Sequence, residues 1–224
     1  MMRRNNFPFS AVLGLNHAKT AILVVLVNPR AGGLLISGPQ GIGKSTLMRS
    51  TQELIERPWR DIPVSVTEDR LFGTIDTEKA IYSGQKKLYP GIINEADQGV
   101  LYLDDANLLR EDLLDSILNI AEVGAYQLER DGLSLRCDTS FTVIATINPE
   151  SGMLSGACLD QFGLFVNVDN IHDENTRVEI LKRTISFEKD CASFCKLWKL
   201  ENEKIKKAIP VSYTHLRAHE TRED

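Results

Sequence analysis

Two periods of apolar recurrence alternate along this chain, and the switches between them mark helices and strands. Val12, Leu15, Ala18, Ile22 and Val25 recur near helical spacing, so Ser10–Val27 reads as a helix closed by Asn28-Pro29. The short apolar run Gly33–Ser37 precedes a glycine-rich turn, as expected of a buried parallel strand. Thr46–Arg57 reads as the following helix, stopped by Pro58, and the β-branched Pro63–Val66 as a second strand. Thr67–Pro90 is polar and mixed, punctuated by Gly73, Gly84 and Pro90-Gly91. Gly99–Leu103 is another buried-strand run, ending in Asp104-Asp105. Leu108–Val123, with apolar positions 113, 114, 117, 118 and 121, predicts an amphipathic helix. Tyr126–Leu135 alternates around Asp131-Gly132, a hairpin signal. Phe141–Ile147 predicts a strong strand, Leu164–Val168 a weaker one, and Glu174–Phe187 and Ala192–Ile209 helices.

Strands alternating with helices give an α/β fold with a mainly parallel sheet and ligands at the carboxyl ends of the strands. The chain is 224 residues long and 42% hydrophobic, enough for one domain with a real core. Its net charge of −5 argues against non-specific coating of nucleic acid or an anionic membrane. Ala21–Val27 is the longest apolar run, far short of the roughly 20 residues that span a bilayer. Arg3 and Arg4 precede an apolar stretch, but Asn16, His17 and Lys19 interrupt it and no small-residue cleavage site follows. Without that signal the scattered Cys137, Cys158, Cys191 and Cys195 read as buried free thiols of a cytoplasmic protein. Cys191 and Cys195 are four apart with no second ligand pair, which disfavours zinc.

Gly38-Pro39-Gln40-Gly41-Ile42-Gly43-Lys44-Ser45 fits G-x-x-x-x-G-K-[ST] in full, and it follows a predicted strand and opens a predicted helix with Thr46. Glycines let the backbone curl its N–H groups toward phosphate oxygens, and the helix N-terminus adds partial positive charge. Lys44 would reach the β- and γ-phosphates, and the Ser45 hydroxyl would ligate Mg²⁺. The second element is Val100-Leu101-Tyr102-Leu103-Asp104-Asp105, an apolar strand ending in two acids. In nucleotide hydrolases the first such acid holds Mg²⁺ and the second polarises the attacking water. The third is Ala145-Thr146-Ile147-Asn148-Pro149, where Asn148 would sit beside the γ-phosphate and orient the water; a plain Asn-Pro turn is its bland alternative.

With these elements in order, the chain resembles the AAA+ ATPases, and among them the ATPase subunits of magnesium chelatase. The resemblance runs from about Phe7 to Ile209. It is carried further by Phe7-Pro8-Phe9-Ser10 with Gly14, by Thr67-Glu68-Asp69-Arg70 with Gly73-Thr74 and Glu78-Lys79-Ala80, and by Asn107-Leu108-Leu109. Leu128-Glu129-Arg130-Asp131-Gly132 matches an inserted hairpin, and Leu159-Asp160 with Phe162-Gly163-Leu164 and Thr176-Arg177-Val178-Glu179 continue the series. The resemblance implies a P-loop core with a five-stranded parallel sheet flanked by helices, a β-hairpin insertion, and a C-terminal helical lid missing or truncated here. It also implies an ATP-driven homo-oligomeric ring, a hexamer. Such a ring works with a D-type subunit and a large porphyrin-binding subunit to insert Mg²⁺ into protoporphyrin. The cofactors would be ATP and Mg²⁺, with Lys44, Asp104, Asp105 and Asn148 catalytic, residues 38–46 holding nucleotide, and Ser45 and Asp104 on the metal.

Three departures stand out. Asp105 occupies a position where an active I-type subunit usually has Glu, one methylene longer. Gln161 follows Leu-Asp where the family usually has an Arg that reaches the neighbouring subunit's γ-phosphate. Ser155-Gly156 stands where Arg-Pro is usual. Asp-Asp matches the hydrolytically weak D-type subunit, so a D-like structural role is an alternative to the motor, and a metal-insertion chaperone a third, which the hairpin disfavours.

Trp59 and Trp198 read as packing residues, Lys204, Lys206 and Lys207 as a solvated face, and His17 as a surface histidine near the adenine side. Residues 210–224 carry no apolar period, and His215 and His219 lack a third ligand. This ending resembles translated read-through, so the domain expected is 1–209.

Overall fold

The computed structural model describes residues 6–75, 88–130 and 133–220. In chain order they form α1 (Asn16–Val27), β1 (Leu34–Ser37), α2 (Lys44–Gln52), β2 (Trp59–Ile62), α3 (Glu68–Phe72), β3 (Gly73–Ile75), β4 (Leu88–Pro90), α4 (Ile92–Glu95) and β5 (Val100–Leu103). Then come α5 (Glu111–Val123), β6 (Ala125–Arg130), β7 (Leu133–Asp138), β8 (Thr142–Ile147), α6 (Gly156–Asp160), β9 (Leu164–Asn167), α7 (Glu174–Lys189) and α8 (Cys191–Glu220). Five strands make one parallel sheet in the order β2-β5-β8-β1-β9; β3-β4 and β6-β7 are separate antiparallel pairs. The expected α/β class is therefore the observed one. The segment Glu78-Lys79-Ala80, Gly84 and the turn Asp131-Gly132 lie outside the described residues.

The chain divides into two compact units: Gly32–Leu35 with Arg57–Phe165, and Met1–Ala31 with Ile36–Glu56 and Val166–Asp224. In the first, Leu101 and Leu103 of β5, Val143, Ala145 and Ile147 of β8 and Leu35 of β1 share a core with Leu113, Leu114, Ile117 and Leu118 of α5. That helix buries the face its spacing predicted. It begins at Glu111, after a 3-10 turn at Ala106–Leu108, rather than at Leu108. Glu111 and Asp112 sit at its positive end, and Gly124, with φ +77°, closes it.

The second strand is Trp59–Ile62, not Pro63–Val66. It is an edge strand in which only Trp59 and Ile62 face inward, so its middle is free to be polar; Arg60 bonds Glu95 at 2.8 Å. The apolar period that sequence reading seeks is missing for that reason. Trp59 donates from Nε1 to Asp61 at 2.8 Å, and its ring centroid lies 5.9 Å from that of Tyr102 on β5. Gly99 brings the two strands together: a Cβ there would meet the Pro58 carbonyl oxygen at 2.1 Å. A Gly99→Ala variant should therefore lose about 1–3 kcal/mol by overpacking. Thermal unfolding checks this, with a midpoint lowered roughly 2–4 °C per kcal/mol; an unchanged midpoint would mean that the β2–β5 junction yields.

The expected hairpin is β6-β7, with Leu128 opposite Leu135. Its Tyr126 hydroxyl lies 2.7 Å from the Phe72 carbonyl and 2.6 Å from Asn94 Oδ1, anchoring the hairpin to α3 and α4.

In the other unit, α1 buries Ala18, Ala21, Ile22, Val25 and Leu26. It starts at Asn16, not Ser10. Gly14 breaks the chain with φ +80°, and a Cβ there would lie 2.0 Å from Ile171 Cδ1. Residues Phe9–Ala11 form a 3-10 turn instead. The helix α2 runs Lys44–Gln52, starting and ending earlier than the expected Thr46–Arg57. Phe7, Phe187 and Phe194 stack with centroids 5.2–5.8 Å apart, and Arg183 covers the Trp198 ring at 4.6 Å. Asn202 Oδ1 accepts from the Ser10 N–H and hydroxyl at 2.9 and 2.7 Å. Helix α8 continues past Ile209 to Glu220.

Two partly buried acids make stability depend on alkaline pH. Burial, with Cys191 alongside, pushes the Cys195 thiol up to about 11, and burial beside Cys137 raises the Tyr126 hydroxyl above its usual 10.0. The unfolded chain releases these protons from about pH 9, while the folded chain keeps them. Stability should be fully present below pH 9 and fall as pH rises toward 11. Urea midpoints between pH 7 and 10.5 check this, and Cys195→Ala should flatten part of the slope; a level profile in the parent chain contradicts it.

Candidate functional site

The loop after β1 has the form its residues dictate. Gly41 and Gly43 take φ +82° and +96°, left-handed values that a side chain resists. At Gly38 the constraint is space: a Cβ would meet Val168 Cγ2 and its carbonyl oxygen, each at 2.5 Å. Lys44 is buried, and its ammonium donates to the carbonyls of Gly38 at 2.6 Å and Pro39 at 2.9 Å. A positive charge is thus held inside the curl of the loop. Gly43 caps α2 without any side-chain hydrogen bond, and no acid occupies the first turn, so that helix end keeps its positive character. Ser45 is half-buried on this first turn, and Gln40 and Thr46 are exposed.

The acidic strand end is built separately. Tyr102 Oη donates to Asp104 Oδ1 at 2.7 Å, and Thr146 Oγ1 donates to the same oxygen at 2.8 Å. The Asp105 N–H donates to Thr146 Oγ1 at 3.2 Å. Asp105 sits at φ +51°, ψ +54°, a left-handed conformation that Asp tolerates better than longer acids do. Asn148, 8% exposed, ends β8. Its Oδ1 accepts from the Glu150 N–H at 3.1 Å, and its amide reaches Ser151 Oγ at 3.3 Å. Asn148 thus caps the turn after β8, and its amide carries a second N–H. Asn107 ties the two turns together, its Nδ2 donating to the carbonyls of Asn148 at 3.1 Å and Gly152 at 3.0 Å.

Gln161 lies just past α6, half-buried, with Nε2 on the Ala157 carbonyl at 3.4 Å. Ser155 caps α6 by accepting from the Cys158 N–H at 3.3 Å. Cys158 in turn donates to Asp115 Oδ1 at 2.9 Å, and burial raises its thiol. Trp59 and Trp198 are packing residues as expected, His17 is exposed, and Lys206 pairs with Glu56 at 3.1 Å.

Tyr102, Thr146 and Asn107 were not singled out for a role in the sequence. The signal was present for two of them. Tyr102 and Thr146 stand two residues before Asp104 and Asn148 on their strands, hence on the same face.

The loop suits the phosphates of a nucleotide, since a buried lysine ammonium and the positive end of α2 match phosphate oxygens. The Asp104 carboxylate, taken by itself, is an oxygen ligand of the kind a hard divalent ion accepts. Among the described residues no group of three or more His, Cys, Asp or Glu could hold a metal by itself.

Comparison with known proteins gives a consistent picture. Residues 33–161 match the AAA domain of the dynein-related subfamily. The chain is 33% identical to a magnesium-chelatase subunit ChlI homolog of Methanocaldococcus jannaschii, over 93% of this chain and 67% of the relative. It is 34% identical to the magnesium-chelatase 38 kDa subunit of Cereibacter sphaeroides, over 91% and 71% respectively. Among solved structures, the complex between subunits BchI and BchD of magnesium chelatase superposes with a TM-score of 0.70 at 34% identity. It covers 95% of this chain and 77% of that one.

Proposed function

Because the chain belongs to the magnesium-chelatase family of AAA ATPases, we propose that it is the ATP-driven subunit that powers Mg²⁺ insertion into a porphyrin. The observation that carries this is the intact phosphate loop with Lys44 buried in its curl. In this reading the loop of residues 38–46, through its backbone N–H groups other than at Pro39, and the Lys44 ammonium hold the phosphates. Asp105 takes the proton side of the attacking water, and Asn148 faces the γ-phosphate. Ser45 and Asp104 would hold Mg²⁺, which would supply charge neutralisation to the bound triphosphate. The chain's own work is to orient the triphosphate, keep the loop closed around it and aim the water.

The likeness to the complex of BchI and BchD supports an oligomeric ring acting beside a D-type subunit. A hexamer, a large porphyrin-binding partner and a cytoplasmic setting complete the proposal. No helix among the described residues is long and apolar enough to cross a membrane.

Asp105 and Gln161 favour a second reading, a ring subunit that binds nucleotide and turns it over poorly. Steady-state ATP hydrolysis with parallel Mg-ATP binding separates the two. Turnover by the parent chain that disappears in Asp104→Asn supports the motor. Tight binding without turnover leaves the structural subunit, and no binding at all removes both.

A further inference from the structure

We propose that Tyr102 and Thr146 are positioning residues for the metal-bearing carboxylate, and that Thr146 couples Asp104 to Asp105. The inference rests on the nucleotide-binding reading of this site and adds the parts that hold its acids in place.

Both residues are anomalies where they stand. β5 and β8 are buried along their whole length, and their neighbours are Leu, Val, Ile and Ala. A polar side chain in such a strand is costly unless it is bonded. Tyr102 is 6% exposed and Thr146 is fully buried. The parallel register sets Tyr102 opposite Ile144 and Leu103 opposite Ala145, so one residue further along Asp104 and Thr146 come level.

The hydroxyl protons can be assigned. Tyrosine and threonine each carry one. Both oxygens lie within 2.8 Å of Asp104 Oδ1. The Asp105 N–H points back to Thr146 Oγ1 at 3.2 Å, so this oxygen is the acceptor there. The remaining 3.4 Å contact between the two hydroxyls then needs no proton of its own. One oxygen of Asp104 is gripped by two donors from two strands, and the backbone of Asp105 is hung from the same threonine. A carboxylate held in this way presents a fixed orientation to a divalent ion that demands near-ideal geometry. Partners of this kind typically change metal affinity or activity about 10–100-fold when removed.

The test uses the complete chain and reads the enhancement of ATP affinity by Mg²⁺, from dissociation constants in Mg²⁺ and in EDTA. It does not require turnover. Thr146→Val and Tyr102→Phe, which delete a hydroxyl with little change of shape, should each cut that enhancement about 10-fold or more. Affinity for metal-free ATP should stay near the parent value, and Thr146→Ser should restore most of the enhancement. Undiminished enhancement in the Val and Phe variants overturns the proposal. So does a Thr146→Ser variant as weak as Thr146→Val, or an equal loss of metal-free binding, either of which marks a merely structural role. A parent chain that binds no ATP under any condition removes the nucleotide reading itself, a result distinct from these.

Discussion

Lys44→Ala should reduce ATP turnover by roughly 10²–10³-fold, the usual loss when one preorganised charge is withdrawn from developing negative charge. The reason lies in where Lys44 sits. Its ammonium bridges the carbonyls of Gly38 and Pro39, so the loop is wrapped around a positive charge. Truncation removes that charge and leaves two carbonyls short of a donor, at about 1–3 kcal/mol for each such group that stays buried. Some stability should go with the activity, so turnover should be measured well below the unfolding midpoint, with circular dichroism showing a folded chain. A folded variant that keeps a third of the parent rate would place the triphosphate somewhere other than this loop.

Gln161→Arg should raise turnover, by about tenfold or more alone. An arginine presented in trans contributes roughly 10³–10⁵ in well-studied phosphoryl hydrolases. A misplacement near 1 Å, such as the missing methylene at Asp105 would cause, costs on the order of 10², but parent and single variant share that cost and it cancels from their ratio. The exchange should cost little stability, because Gln161 is half-buried and makes one long bond to Ala157. Adding Asp105→Glu should recover more of the rate, at a structural cost. Position 105 has φ +51°, where a longer acid is strained by about 1 kcal/mol. The measurement is kcat for the parent, both single variants and the double. No gain in any of them would mean that residue 161 never reaches a neighbour's nucleotide.

The phosphate loop was legible because its chemistry lies in consecutive residues. A glycine that must curl and a lysine that must follow leave a local mark. The parallel sheet was legible because β1, β5 and β8 are buried on both faces and read as unbroken apolar runs. Strand β2 was not, since an edge strand needs only Trp59 and Ile62 inside and spends Arg60 on Glu95. The late start of α1 was hidden by apolar residues on both sides of Gly14, where backbone conformation and not hydrophobicity decides. The tie from Thr146 to the two acids joins residues 41 and 42 positions apart. Spacing within one strand hints at such a bond, but only the strand register makes it.

The ring contact between Trp59 and Tyr102 has an optical consequence. The chain has two tryptophans, and one of them stacks 5.9 Å from the tyrosine that grips Asp104. Its indole N–H is held by Asp61 at 2.8 Å, so the ring sits in a defined, nearly dry environment. Replacing Trp198 by Phe would leave Trp59 as the single tryptophan, excitable apart from the tyrosines at the red edge of the absorption band. Any rearrangement of the acidic strand end on metal or nucleotide binding would then appear in its emission, with no label attached to the protein.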